Sequence, residues 1–216
     1  MKEYIKIDTI YQRDTEGTKK LMDGLFRSPT VEYLKDNDWE WTEKVDGTNI
    51  RVHWDGHKVE FGGRTDKAQI PVPLVNKLNE YFGGETNAQL FEQTFGEKDA
   101  IIFGEGYGAK IQNGGDYVED GKSVDFIMFD LLIGENYQSR ESVARCAKEF
   151  GIKVVPVVGR GRISQAIDYV KEHPLSLVGP GKHEMEGLVC RPLMELNDRC
   201  HNRVIVKIKW DDFKHL

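Results

Sequence analysis

Alternation of apolar and polar positions dominates this chain, with helical periodicity confined to a few stretches. Residues 40–45 and 50–54 read as strands around a turn at Asp46-Gly47, with a third strand near 58–61. The apolar runs at 100–104 and 124–133 have the character of buried strands, and 152–158 reads as another. Two final strands are expected at 185–190 and 203–210. Helical spacing covers 73–82 and 86–95, ended by Gly83 and Gly96. Ser139 opens a helix that runs to Phe150 with Gly151 as its C-cap, and Ser164 caps a helix over 164–172. Strands outnumber helices and are often joined by short turns, which predicts an α+β fold with largely antiparallel sheets. No repeat, low-complexity tract or Pro/Ser-rich linker marks a boundary, so the 216 residues read as one large domain or two small ones sharing a core.

Composition narrows the class. Apolar residues at 39%, charged at 31% and aromatic at 10% fit a globular protein rather than a disordered or fibrous one. The longest aliphatic run, Val154 to Val158, is broken by Pro156 and falls far short of the ~18 apolar residues a membrane helix needs. The opening MKEYIKID has no apolar stretch of the secretory type. Cys146, Cys190 and Cys200 are too few and too scattered for a disulfide framework or a zinc site, so a reducing cytoplasm is expected. Thirty basic against thirty-six acidic residues give −6, which argues against indiscriminate binding to nucleic acid and leaves room for a local basic groove. Arg191, Arg199, Arg203, Lys207 and Lys209, set against Glu195 and Asp198, concentrate cations near the C-terminus. A solvated face accounts for such a run equally well.

Five short features carry candidate chemistry. Glu43-Lys44-Val45-Asp46-Gly47-Thr48-Asn49 places a lysine at a strand end before a tight turn, where its amine projects over whatever the sheet cradles. Four fixed residues of this kind occur by chance in about one chain in a thousand of this length; an Asp-Gly pair alone would be an ordinary turn. Phe103-Gly104-Glu105-Gly106-Tyr107-Gly108 sets a carboxylate among alternate glycines that would let a ligand approach the backbone, although a plain glycine-rich turn has similar weight. It has neither the P-loop Gly-Lys-Ser/Thr nor the dinucleotide spacing. Asp125 to Asp130 closes an apolar strand with Phe129 and a carboxylate, and Glu186 to Arg191 opens one with a carboxylate. In Lys207-Ile208-Lys209 the strand period puts both ammonium groups on one face, opposite Val204, Val206 and Ile208. Like charges on one face call for an anion between them, and a phosphate is the natural one.

In this order the five features resemble motifs I, III, IIIa, IV and V of the covalent nucleotidyltransferases, the superfamily of ATP-dependent ligases and mRNA capping enzymes. The chain is most similar to the bacteriophage RNA ligase 2-like family, whose first motif also has a Glu directly before the Lys and a Gly-Thr-Asn after it. The likeness spans residues 43 to 209. It implies a single nucleotidyltransferase (adenylation) domain of ligase type over residues 1–216, with sheets flanked by helices. Two departures stand out. Arg191 occupies a position where the family usually has Lys, keeping the charge without reproducing the contact. The chain also stops seven residues after Lys209, leaving no room for the OB domain of DNA ligases and capping enzymes or for a C-terminal RNA-binding domain. A separate partner supplying RNA engagement fits that length.

The resemblance implies a reaction in three steps. Lys44 attacks the α-phosphate of ATP to form lysyl-AMP. AMP then passes to an RNA 5′-phosphate, and a 3′-hydroxyl displaces it. An ordinary lysine, pKa ~10.4, is neutral in only about one part in a thousand near pH 7.4, and neighbouring cations favour the neutral amine. Lys207, Lys209 and a Mg2+ or Mn2+ ion are expected to supply them and to bind the triphosphate. Glu186 is the first candidate to hold that metal, with Glu105 or Asp130 second. By the same likeness Glu105 holds the ribose hydroxyls, Phe129 stacks on adenine and Arg64 contacts phosphate. Glu43, Val45, Asp46 and Asn49 are matched to the nucleotide site without individual roles. Strand alternation puts Phe129 and Asp130 on opposite faces, so one of them turns away unless the strand ends or bulges there. His173, His183 and His201 lack ligand spacing, and Cys190 with Trp39, Trp41, Trp54 and Trp210 reads as packing. Arg160 and Arg162 read as a solvated turn ahead of an RNA-backbone contact. A ligase for DNA or mixed ends, a capping-type guanylyltransferase and a non-catalytic nucleotide- or RNA-binding module stand as rival readings. A virus-encoded enzyme of RNA repair working in a host cytoplasm would fit the family.

Overall fold

The computed structural model describes residues 1–18, 20–180 and 182–214, which divide into two compact units. One takes Lys6–Val45 and Pro156–Leu216, the other Met1–Ile5 and Asp46–Val155. Among the described residues no helix is long and apolar enough to cross a membrane.

The first unit begins with β1 (Asp8–Thr9), the hairpin of β2 (Tyr11–Arg13) and β3 (Leu21–Phe26), and α1 (Pro29–Leu34), and reaches β4 at Trp39–Glu43. The second unit runs through β5 (Thr48–Trp54), β6 (Val59–Gly62), α2 (Val72–Phe82), α3 (Gly84–Phe95), β7 (Ala100–Gly108) and β8 (Val124–Ile133). It closes with β9 (Asn136–Tyr137), α4 (Arg140–Glu149) and β10 (Lys153–Val154). The chain then re-enters the first unit for β11 (Val157–Gly161), α5 (Ile163–Lys171), β12 (Gly187–Pro192) and β13 (Val206–Lys209). The expected α+β class with largely antiparallel pairing is what forms; the parallel exceptions are β1 with β13 and β8 with β10.

In the first unit the strand order is β1-β13-β12-β4-β11. Period-two alternation splits its residues cleanly. Trp39, Trp41, Leu188, Cys190, Val206 and Ile208 pack against Ile163, Ala166, Ile167 and Val170 of α5, which recur at helical spacing. The opposite face carries Glu40, Thr42, Val189, Arg191, Lys207 and Lys209, aligned in cross-strand pairs. Cys190 and three of the four tryptophans are therefore core, as expected, while Trp210 stacks on the His173 ring at 4.2 Å.

The second unit's sheet has the order β10-β8-β7-β5-β6, with β9 added to β8. One face buries Ile50, Val52, Ile102, Phe126 and Met128 against Leu74, Leu78 and Phe82 of α2, Phe91 of α3 and Val143 of α4. Gly104 and Gly106 also point to this side. A Cβ on Gly104 would lie 2.2 Å from the Phe126 ring, and one on Gly106 would lie 2.3 Å from Leu74. These glycines make room for core side chains, which corrects the expectation that they open the backbone to a ligand.

Four local expectations change. Asp46-Gly47 does not close a hairpin, because β4 and β5 belong to different sheets. The stretch 152–158 is two strands parted at Pro156, one in each sheet. Helix α5 starts one residue early, and Gln165 Oε1 accepts from the Arg162 N–H at 2.9 Å where Ser164 was expected to cap. The last strand is shorter than 203–210, covering Val206–Lys209.

Overpacking at Gly104 is the sharpest test of this core. Gly104→Ala is expected to cost about 1–3 kcal/mol in urea unfolding. Gly115, whose Cβ position is open, should accept Ala within about 0.5 kcal/mol.

Candidate active site

Lys44 follows directly on β4 and continues its ladder, its N–H donating to the Gly187 carbonyl at 2.9 Å. Gly187 in turn pairs with Lys209 across to β13. Lys44, Gly187 and Lys209 thus form one rung at the end of three adjacent strands. Gly187 has φ 154, and a Cβ there would sit 2.1 Å from the Ile208 carbonyl oxygen. Met185 and Leu188 both enter the core although they are three apart, so the strand period is interrupted between them and Glu186 turns to the lysine side.

Glu186 bridges the two ammonium groups. Its Oε2 is 2.5 Å from Lys44 Nζ and its Oε1 is 2.7 Å from Lys209 Nζ. The three side chains are 26%, 14% and 28% exposed, partly dried yet reachable from solvent. Burial acts to lower the pKa of Lys209, but the hydrogen bond and charge of Glu186, with Asp211 and Asp212, outweigh it and hold the value above the ordinary range. Lys207 lies on the same sheet face one step along β13, half-buried. Val206 and Ile208 point into the core, so the expected alternation holds.

Glu43 and Val45 point elsewhere. Val45 is 4% exposed. Glu43 is buried; its carboxylate accepts from the Ser176 hydroxyl and from the Leu177 N–H, the latter at 2.8 Å. Burial pushes its pKa up against the lowering effect of those bonds. Glu43 therefore ties the strand that leads into Lys44 to the loop that leads into Glu186. No motif marked Ser176 or Leu177, and only an unexplained buried carboxylate beside Lys44 could have signalled them.

The C-terminal basic run does not form one groove. Arg191 Nη1 is 3.0 Å from Glu195, and Arg203 uses the same carboxylate at 2.6 Å. Arg191 also approaches Glu40, which lies across the ladder from it and pairs with Arg160 at 2.8 Å. Arg160 is thus a strand residue in an ion pair rather than part of a solvated turn.

The remaining candidates belong to the second unit. Asn49, Glu105 and Ile127 are cross-strand neighbours on the sheet face away from the α2 core. Asn49 Oδ1 is buried with no hydrogen-bond partner, an acceptor a bound molecule could satisfy. The Asp46 carboxylate accepts from Asn113 Nδ2 at 2.8 Å, while its N–H donates to the Tyr117 hydroxyl at 3.1 Å. Arg64 is exposed just beyond β6. Between β7 and β8 the register slips, Phe103 facing Asp130 and Gly104 facing Met128, which leaves Phe129 as a bulged residue. Phe129 and Asp130 consequently share one face, both within reach of Tyr4. Asp130 is 2% exposed and accepts from Tyr4 and from the Leu131 N–H. Among the described residues no three His, Cys, Asp or Glu side chains gather into a metal cage. A hard ion that keeps most of its waters needs no such cage, and the reachable oxygens of Glu186 suit it.

Two measurements follow. Glu186→Gln leaves two partly buried ammonium groups without their shared anion, an expected loss of about 1–2 kcal/mol in denaturant unfolding, larger at low salt. For Glu43 the raised folded pKa means its stabilising contribution is complete below the unfolded value and disappears as pH rises through the folded one. Wild-type stability relative to Glu43→Gln should therefore fall with increasing pH above about 4.5.

Comparison with known proteins bears on the family and the fold. Among curated protein sequences none matches the chain. An RNA ligase from Naegleria gruberi is similar in structure: a lysine-to-alanine variant with ATP and Mn gives a TM-score of 0.65 at 18% identity, over 86% of this chain and 52% of that one. The same ligase with PPi gives 0.64 at 17% identity, over 100% and 64%. A variant with AMP and Mn gives 0.64 at 17%, over 96% and 62%. The chain thus spans between half and two thirds of these structures, and the likeness is one of fold. The family model described as RNA ligase matches residues 37–209, a stretch that takes in Lys44, Glu186 and Lys209. On that match, the chain belongs to the RNA ligase family.

Proposed function

We propose that this chain is the nucleotidyltransferase part of an ATP-dependent RNA ligase, joining an RNA 5′-phosphate to a 3′-hydroxyl through lysyl-AMP on Lys44. The observation that carries the reading is the Glu186 carboxylate held between Lys44 and Lys209. In the first step the Lys44 Nζ–phosphorus bond forms as the bond to pyrophosphate breaks, and Glu186 Oε2, at 2.5 Å, is placed to take the proton from the amine. Lys209, kept charged by its neighbours, and Lys207 on the same face supply the positive field for the phosphates. In the second step the 5′-phosphate oxygen takes the AMP and the Lys44 nitrogen regains a proton. In the third the 3′-hydroxyl oxygen displaces AMP.

On the second unit, Glu105 would hold the ribose hydroxyls and Phe129 the adenine, with Asn49, the cross-strand neighbour of Glu105, and Asp46 also facing the nucleotide, and Arg64 for phosphate. Glu186 would hold a magnesium or manganese ion through its reachable oxygens; such an ion, when bound, neutralises phosphate charge. Asp130 is buried, with its carboxylate bonded to Tyr4 and to the Leu131 N–H, and is better read as structural. Three unpaired thiols, two of them buried, suit a reducing compartment, and RNA repair in a cytoplasm is the setting that fits.

The test uses ATP labelled at the α-phosphate, with a divalent metal. Label should stay on the protein after denaturation and be absent from Lys44→Ala. Sealing of nicked all-RNA duplexes should then exceed sealing of all-DNA nicks. Label from GTP alone would move the activity to capping, and none from either nucleotide would overturn the reading.

A further inference from the structure

Residues Met1–Ile5 lie outside every motif, yet they belong to the same compact unit as residues 46–155. Tyr4 sets its ring among three aromatic rings on the sheet face away from the α2 core. Centroids are 4.8 Å from Phe103, 5.0 Å from Phe129 and 6.1 Å from Tyr137, tilted or edge-on in each case. The Tyr4 hydroxyl donates to Asp130 Oδ2 at 2.8 Å. The start of the segment is held as well. Arg51, fully buried, donates from Nη1 to the Met1 carbonyl at 2.9 Å. The same guanidinium donates to the Gly63 carbonyl at 2.7 Å and to Asp66 at 2.8 Å, one on either side of Arg64.

The bulge gives this arrangement its consequence. A bulged residue has no partner across the ladder, so strand pairing does not fix where its side chain points. Phe129 is that residue. Its carbonyl accepts from Arg140 Nη1 at 3.1 Å, which anchors the backbone, and the edge-on Tyr4 ring bears on the side chain. The hydroxyl bond to Asp130, the next residue, keeps Tyr4 itself in register. We infer that Tyr4 is a positioning residue: it sets the orientation in which Phe129 receives a nucleobase. This rests on the proposed role of Phe129 and extends it to a segment the motifs do not cover.

Binding can be read apart from chemistry by calorimetry in a Lys44→Ala background, with ATP and inorganic tripolyphosphate as the two probes. Adding Tyr4→Ala should weaken ATP by about tenfold, the equivalent of the single edge-on contact that orients Phe129. Tripolyphosphate, which lacks the base, should change by less than about twofold. Tyr4→Phe keeps the ring and should remain within about threefold of the parent for ATP. A fall in thermal midpoint with ATP affinity unchanged would overturn the inference, since Tyr4 would then only stabilise the unit. Equal weakening of both probes would overturn it too. Failure of the parent to bind ATP, with no label on wild type, would instead remove the nucleotidyltransferase reading and this inference with it.

Discussion

Two ammonium groups at the ends of strands that flank a common neighbour repel unless an anion stands between them, and in this protein the anion is Glu186. Its two oxygens are divided between Lys44 and Lys209, so one carboxylate fixes two cations at hydrogen-bonding distance. Much of the first unit serves that arrangement. The pairing of β4 with β12 and of β12 with β13 brings the three residues to one rung. Gly187 lets β13 approach closely enough, since any side chain there would collide with the Ile208 carbonyl. Beneath the rung, Glu43 ties the strand that leads into Lys44 to the 176–178 loop at the cost of burying a carboxylate.

The second unit solves a different problem, that of presenting polar and aromatic groups from a sheet whose other face is closed by three helices. Alternation sends Asn49, Glu105 and Ile127 to one side while Ile50, Gly104 and Met128 go to the core. A single extra residue in β8 then brings Phe129 and Asp130 to the same side, against the strict period. Such a bulge weakens local pairing, and the aromatic cluster around Tyr4 with the Arg140 bond to the Phe129 carbonyl compensates it.

The legible parts of the fold were those governed by local pattern. The two helices ending at Phe82 and Phe95, the strand start at 100–104, the long strand at 124–133 and the Ser139 cap follow from spacing and end residues, whereas β7 runs on to Gly108 through what reads equally as a glycine-rich turn. What misled was ambiguous locally. A tight Asp-Gly turn is compatible with a hairpin or with a change of sheet, and only pairing elsewhere in the chain decides. Gly104 and Gly106 would look the same beside a ligand or beneath a phenylalanine. The segments at 8–13 and 21–26 are too short or too mixed in polarity to stand out, and they are held by contacts far away in sequence.

For the site, the sequence by itself determined the residue types and their order: a lysine at a strand end, carboxylates at 105 and 186, and two lysines sharing a strand face. Those follow from residue type and the two-residue period, which are local properties. The tertiary structure alone decided which charge meets which. Lys44 and Glu186 are 142 positions apart, and their contact depends on strand register. It also decided that Arg191 pairs with Glu195, that Glu43 faces Ser176, and that a bulge lets Phe129 and Asp130 share a face. The Lys44–Glu186 and Glu43–Ser176 contacts and the β7–β8 register are non-local pairings, and no short window along the chain contains both partners.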